Sequence, residues 1–241
     1  MNHRSMDIRT ALAVTTLASA LALALPARAG DGSAPVCSSP VAAGEKGATA
    51  CPAPSGFDAA NDPDSGAPML GRPAPSWTFD RWVRGGPLTL AGLRGKVVLL
   101  RFWTEDCRYC THTLPYLESL RAAHAGDDFA VVCAFRPREG TGNVKDAHIL
   151  DLAKKMKYAG PVAFDRRWST LNRYWLDGHP ERSWTSVSFL IDRDGIVRWV
   201  HGGGEYHHTD DVMHHRCDLE AQELERVLAQ VLSEKKVSAL R

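Results

Sequence analysis

The chain has 241 residues, 44% of them hydrophobic and 24% charged, with 29 basic against 28 acidic side chains and a formal net charge of +1. That is ordinary globular composition, enough for one good-sized core. No dense basic block and no stripe of basic and aromatic residues is present, so the electrostatic footprint of a nucleic-acid binder is missing and a nucleic-acid partner is excluded.

In chain order, Arg4 and Arg9 precede the apolar run "ALAVTTLASALALAL" from Ala11 to Leu25, and Ala27 and Ala29 then bracket Arg28 as a small-x-small cleavage site. Residues 1–29 are read as a cleavable secretory signal peptide. The run falls short of the roughly 20 residues that span a bilayer. No lipobox precedes Cys37. The mature protein is therefore expected to be soluble and exported, in the bacterial periplasm, where disulfides persist. Residues 30–68 are dominated by Ala, Gly, Pro, Ser and Asp. Such a stretch buries too little apolar surface to offset its ordering entropy, and it reads as a linker. Cys37 and Cys51 within it are assigned a local disulfide.

One folded domain is expected over 69–235, with a tail at 236–241. "PSWTFDRW" suggests a strand, and "VVLLRFW" (97–103) is an apolar run suited to a central buried strand. Leu114, Leu117 and Leu120 predict a helix from Cys107 to about Ala125. "FAVVCAF" (129–135) predicts a second buried strand, residues 136–143 a loop, 144–157 an amphipathic helix, "PVAF" a short strand and "RWSTLNRYWL" one or two helical turns. "SVSFLID", "RDG" and "IVRWVHG" spell strand, tight turn and strand, with Asp194-Gly195 at the turn. A closing helix is predicted from about Asp218 to Leu232. Alternating strands and helices of these lengths define an α/β sheet with helices on both faces, finished by an antiparallel hairpin.

The pair in "FWTEDCRYCTHTLP" falls at the carboxyl end of the central strand, where α/β sheets place their chemistry. A thiolate is the attacking species, and a helix N-terminus offers it unpaired N–H groups and a partial positive charge. Cys107 holds that position and is expected to attack; Cys110, one turn on, is expected to resolve. Arg108 and His112 favour the thiolate, while Glu105 and Asp106 oppose it. Asp106 reads first as the helix N-cap, Glu105 as a solvated carboxylate, and His112 as an exposed helix residue. A structural zinc site built on the pair would need a second ligand pair, for which only His214, His215 and Cys217 offer themselves, without regular spacing. A purely structural disulfide closing so small a loop would restrict the unfolded chain little. Redox activity is the favoured reading.

These features resemble the thioredoxin-like fold, and within it the exported thiol-disulfide oxidoreductases of the TlpA/ResA type and the related redoxin group. The resemblance rests on "GRPAPSWTF", "GKVVLLRFW", "CRYC", Pro115 and "FLIDRDGIVRWVHGG", covering about residues 70–205. It implies a central mixed sheet flanked by helices with an N-terminal strand extension, dithiol-disulfide exchange at Cys107 and Cys110, and no cofactor. Trp103, Thr104, Glu105, Arg108, His112, Pro115, Thr185 and Ser186 are the supporting positions. The implied partners are protein thiols and disulfides, met through a membrane-bound or soluble redox partner by a monomer.

Relatives of this fold carry a cis-proline before the strand that here reads "SFLID"; the position falls on Ser186, after Thr185. A cis bond before a non-proline residue costs about 2.5–4 kcal/mol, so a trans peptide and an altered substrate groove are expected. Copper-delivering members place a histidine near there, whereas this chain has Trp184. Peroxiredoxins resemble the chain in Thr104 but place a proline where Leu100 stands, which makes a thiol peroxidase the alternative activity. The segment 201–217 concentrates His201, His207, His208, His214 and His215 beside Cys217. Without strict ligand spacing it reads as a solvated loop, with copper or zinc binding, aided by Glu205 and Asp210, as the alternative. Cys133 reads as a small core hydrophobe, and its pairing with Cys217 stays open.

Overall fold

A strand with no polar face must be covered on both sides, and every residue of Val97–Trp103 is buried. In the computed structural model, which describes residues 66–138, 143–182 and 184–234, this segment is the second strand of six. The expected signal peptide, the linker as far as residue 65 with Cys37 and Cys51, and the tail lie outside the described residues, whereas 66–68, the end of the expected linker, lead into a 3-10 turn, Ala67–Met69. The elements are β1 (Arg81–Arg84), β2 (Val97–Trp103), α1 (Cys110–Ala123), β3 (Phe129–Phe135), α2 (Asp146–Lys155), β4 (Val162–Phe164), α3 (Ser169–Leu171, continued by a π-helical turn Asn172–Leu176), β5 (Ser188–Ile191), β6 (Val197–His201) and α4 (His215–Ser233). The sheet order is β1-β4-β3-β2-β5-β6.

The central strands β2, β3 and β4 are parallel, and β1, β5 and β6 run antiparallel to their neighbours. The sheet is therefore mixed, as the resemblance implied. Both parallel crossovers step in one direction across the sheet, and right-handed crossovers then put α1 and α2 on one face. The strand period of two sorts β2 accordingly. Val97, Leu99 and Trp103 pack with Leu114, Leu117 and Leu120 of α1, Ile149 and Ala153 of α2, and Leu224, Leu228 and Val231 of α4. Val98, Leu100 and Phe102 point the other way, into Trp77, Leu90, Leu93, Leu171, Tyr174 and Trp175.

Two elements depart from expectation. "PSWTFDRW" contributes only its end to β1: Pro75 has no N–H to donate to a ladder, and the residues before it pair with the β6 hairpin instead, Pro73 bridging Ile196. The backbone of residues 76–78 is held by side chains: Arg173 donates to the Ser76 carbonyl at 2.6 Å, and the Thr170 hydroxyl bridges both backbone groups of Thr78. The closing helix begins at His215 rather than Asp218, after a 3-10 turn, Val212–His214, whose first residue follows the capping carboxylate of Asp211. The hairpin turns where expected, with Gly195 at φ 74°, in the left-handed region that glycine occupies at no steric cost.

The interior of β2 carries one exception to its apolar pattern. Arg101 is fully buried, donating to Ser188 Oγ at 3.2 Å and to the Gly204 carbonyl at 2.9 Å, with its guanidinium over the Tyr206 ring. Burial pulls its pKa down. It ties the segment after β6 to the middle of the sheet. Cys133, its partner across the ladder in β3, is buried and free, and burial pushes its thiol up to about 12. Cys217 is also free, so the two do not pair.

Leu114 joins α1 to β2 with no exposed surface. Leu114→Ala is expected to cost about 2–5 kcal/mol of unfolding free energy in urea denaturation. Alkylation of the native, oxidised protein near pH 8 is expected to label Cys217 and spare Cys133 until the protein unfolds.

Candidate active site

β2 ends at Trp103, which is buried edge-on against Phe135 at 4.9 Å and anchors the turn that follows. Cys107 and Cys110 lie in that turn and at the start of α1, joined by a disulfide with Cα atoms 5.3 Å apart. Cys110 has no exposed surface, whereas Cys107 keeps 8% of its own. The Cys110 backbone N–H donates to Cys107 Sγ at 3.2 Å. The sulfur thus occupies the place of a capping acceptor at the helix start.

This corrects the expected helix start. Asp106 is not the N-cap: its backbone sits at φ 52°, in the left-handed region, and an N-cap needs an extended backbone. The helix opens at Cys110 after Tyr109, which makes no side-chain cap. The Asp106 carboxylate instead lies 3.4 Å from Arg138, and Glu105, read as solvated, lies 3.5 Å from His148 of α2. Asp106 is therefore paired with a guanidinium, and Glu105 lies beside an imidazole. Arg108 lays its guanidinium over the Tyr109 ring at 4.9 Å. His112 is an exposed helix residue, as expected, but its Nδ1 is 2.7 Å from Glu205 Oε2. Pro115 sits inside α1. The Thr104 hydroxyl is buried with no hydrogen-bond partner among the described residues.

The loop before β5 closes the site from the other side. Ser186 is buried, with its Oγ 3.3 Å from Cys107 Sγ and 3.7 Å from Cys110 Sγ. With both sulfurs bonded to each other, the hydroxyl is the donor. Ser186, the residue expected at the cis-proline position, thus lies against the disulfide. The peptide before it is trans; among the described residues the cis bond is Gly86-Pro87.

Arg136, just after β3, holds this loop through a hydrogen bond to the Thr185 hydroxyl while stacking over Trp168. Burial lowers its pKa to about 10, with Arg138 adding to the effect. The backbone carbonyl of Trp184 accepts from Trp175 Nε1 at 2.9 Å, and its ring, 42% exposed, meets Tyr109 edge-on at 5.6 Å. Arg136 and Tyr109 were not singled out from sequence. The available signal for Arg136 was a charge directly after a buried strand.

The histidine-rich segment does not behave as one solvated loop. His201, the last residue of β6, is buried beside Glu220 at 3.0 Å. His208 bridges Asp218 and Glu225, and both carboxylates raise its pKa. His215 is exposed at the start of α4. His207, His214 and Cys217 converge with Glu205. The Cys107–Cys110 disulfide contributes to no such group among the described residues.

The fold and the disulfide together define the class: a thioredoxin-like protein with a CxxC disulfide at the end of a central parallel strand. A solved thioredoxin-like superfamily protein shares the fold over 68% of this chain and 97% of its own, at 24% identity and a TM-score of 0.52. A putative thiol:disulfide interchange protein DsbE from Chlorobium tepidum does so over 68% and 97%, at 23% identity and the same TM-score. The Redoxin family profile matches residues 69–214, and the chain belongs to that family. Among curated proteins it is similar to DipZ of Mycobacterium bovis, at 29% identity over 53% of this chain but only 17% of DipZ. It is also similar to the thiol-disulfide oxidoreductase ResA of Bacillus cereus, at 25% identity over 54% of this chain and 67% of ResA.

A hydroxyl donating to sulfur favours the reduced thiolate state over the disulfide. Ser186→Ala is therefore expected to lower the reduction potential of the Cys107/Cys110 couple, making it more reducing, by roughly 30 mV, the equivalent of about 1.4 kcal/mol for a two-electron couple. Equilibration against glutathione or thioredoxin measures the shift.

Proposed function

We propose that this chain is a thiol-disulfide oxidoreductase acting on protein thiols and disulfides, with Cys107 as the attacking sulfur and Cys110 as the resolving one. The observation that carries this reading is the asymmetry of the pair: Cys107 reaches the surface, and Cys110 is sealed beneath it. In the reducing direction the Cys107 thiolate attacks one sulfur of a partner disulfide and expels the other as a thiolate, leaving a mixed disulfide. The Cys110 thiolate then attacks Cys107 Sγ, closes the internal disulfide and releases the partner's second sulfur as a thiolate. Two electrons pass to the partner. The reverse sequence oxidises a partner dithiol and returns the pair to its reduced form.

Ser186 and the N–H of Cys110 supply hydrogen bonds to Cys107 Sγ. The exposed Trp184 ring beside Tyr109 offers an apolar ledge next to the disulfide, suited to a polypeptide rather than a small thiol. The relatives named thiol-disulfide oxidoreductase support the same activity. The leader-like residues 1–29 support an exported protein working where disulfides persist. No helix among the described residues is long and apolar enough to cross a membrane.

Cys107→Ser is expected to abolish disulfide exchange, and Cys110→Ser to accumulate mixed disulfides visible on non-reducing gels. A Cys107→Ser protein that reduces a disulfide substrate at the wild-type rate would contradict the assignment.

A further inference from the structure

The segment between β6 and α4 brings four donors of different chemistry to one point. The ligating atoms of Glu205, His207, His214 and Cys217 all lie within 4.8 Å of one another. Tetrahedral zinc bonds of about 2.0–2.3 Å place neighbouring donors roughly 3.3–3.8 Å apart. Two contacts already lie near that spacing: His214 Nδ1 is 3.1 Å from Glu205 Oε1 and 3.7 Å from Cys217 Sγ. The remaining separations are at most 4.8 Å, within about an ångström of that spacing.

His207 is the most informative member. Its Nδ1 lies 3.1 Å from the His208 carbonyl, which fixes that nitrogen as the N–H donor. Its Nε2 is buried and without a hydrogen-bond partner among the described residues. Metal-bound histidines are held in this way, with one ring nitrogen donating to a carbonyl and the other on the metal. The segment is braced from behind, since the His207 N–H donates to the Cys217 carbonyl at 3.2 Å and Arg101 holds the Gly204 carbonyl from inside the sheet. Outside the ligand set, the second oxygen of Glu205 accepts from His112 Nδ1 at 2.7 Å.

We infer that Glu205, His207, His214 and Cys217 form a binding site for a divalent transition-metal ion of zinc type, separate from the Cys107–Cys110 disulfide. Two neutral imidazoles, one thiolate and one carboxylate give a tetrahedral set whose two negative charges balance a divalent cation. Binding deprotonates Cys217, and the thiol proton leaves to solvent. Without the ion the same thiol is disfavoured from ionising, by its partial burial and by Glu205 and Glu220. His112 acts as a positioning residue through Glu205. Because it lies on α1, just after Cys110, the ion fastens the 205–217 segment to the helix that carries the disulfide.

The test uses the whole 241-residue chain with the Cys107–Cys110 disulfide intact, so that this pair offers no thiolate. Zn²⁺ is titrated in competition with a chromophoric chelator. The protein is expected to bind one ion at this site, with affinity reduced at least about 100-fold in Cys217→Ser and in His207→Ala, and about 10-fold in His112→Ala. Co²⁺ in place of Zn²⁺ is expected to give a thiolate-to-cobalt charge-transfer band that Cys217→Ser abolishes, and Zn²⁺ is expected to protect Cys217 from alkylation. Circular dichroism confirms that each variant folds. Equal affinity in wild type, Cys217→Ser and His207→Ala, or binding that appears only after the disulfide is reduced, would overturn the site.

Discussion

The complete burial of β2 is the constraint on which the remaining architecture depends. A seven-residue strand with both faces covered needs layers above and below, and β3 and β5 must occupy its two edges. Alternate side chains then build two separate cores, one under α1, α2 and α4, the other under α3 and the segment that leads into β1. The strand can deliver its chemistry only where this burial ends. That point comes just after Trp103 and Thr104, and the turn that follows carries the disulfide.

The reactive turn is defined as much by what is hidden as by what is exposed. Cys110 belongs to the α1 core, so the helix packing that stabilises the domain also withholds that sulfur from partners. Cys107 borders the same core but keeps a small exposed area, takes the backbone N–H of Cys110 and has the shorter contact to the Ser186 hydroxyl. Arg136 extends the same logic to the opposing loop. It fixes Thr185 from the end of β3, and so a residue outside the motif determines where Ser186 sits. A serine in place of proline keeps a backbone N–H and adds a donor to the sulfurs, so the groove beside this disulfide is more polar than a proline would make it.

Much of this was legible in the sequence because the signals were local. "VVLLRFW" and "FAVVCAF" became β2 and β3 without a change of boundary, since an unbroken apolar run admits few alternatives at that length. The hairpin was readable from Asp194-Gly195 and the cysteine pair from its place after β2. What escaped was decided by contacts distant in sequence. The left-handed backbone at Asp106 goes with a turn whose acceptor is a sulfur, which no capping preference anticipates. Arg101, the one charge in an otherwise apolar strand, is the anchor of the Gly204–Tyr206 segment. Glu205, His207, His214 and Cys217 share no motif spacing; a loop folded back on the start of α4 brings them together.

The central claim is that the two sulfurs differ in access, Cys107 being the one that meets partners. The most direct measurement is the relative alkylation rate of the two thiols in the freshly reduced protein, read by peptide mass spectrometry after a brief exposure to limiting iodoacetamide. The structure predicts that the label falls on Cys107 well before Cys110. Labelling of Cys110 as fast as or faster than Cys107 would contradict it.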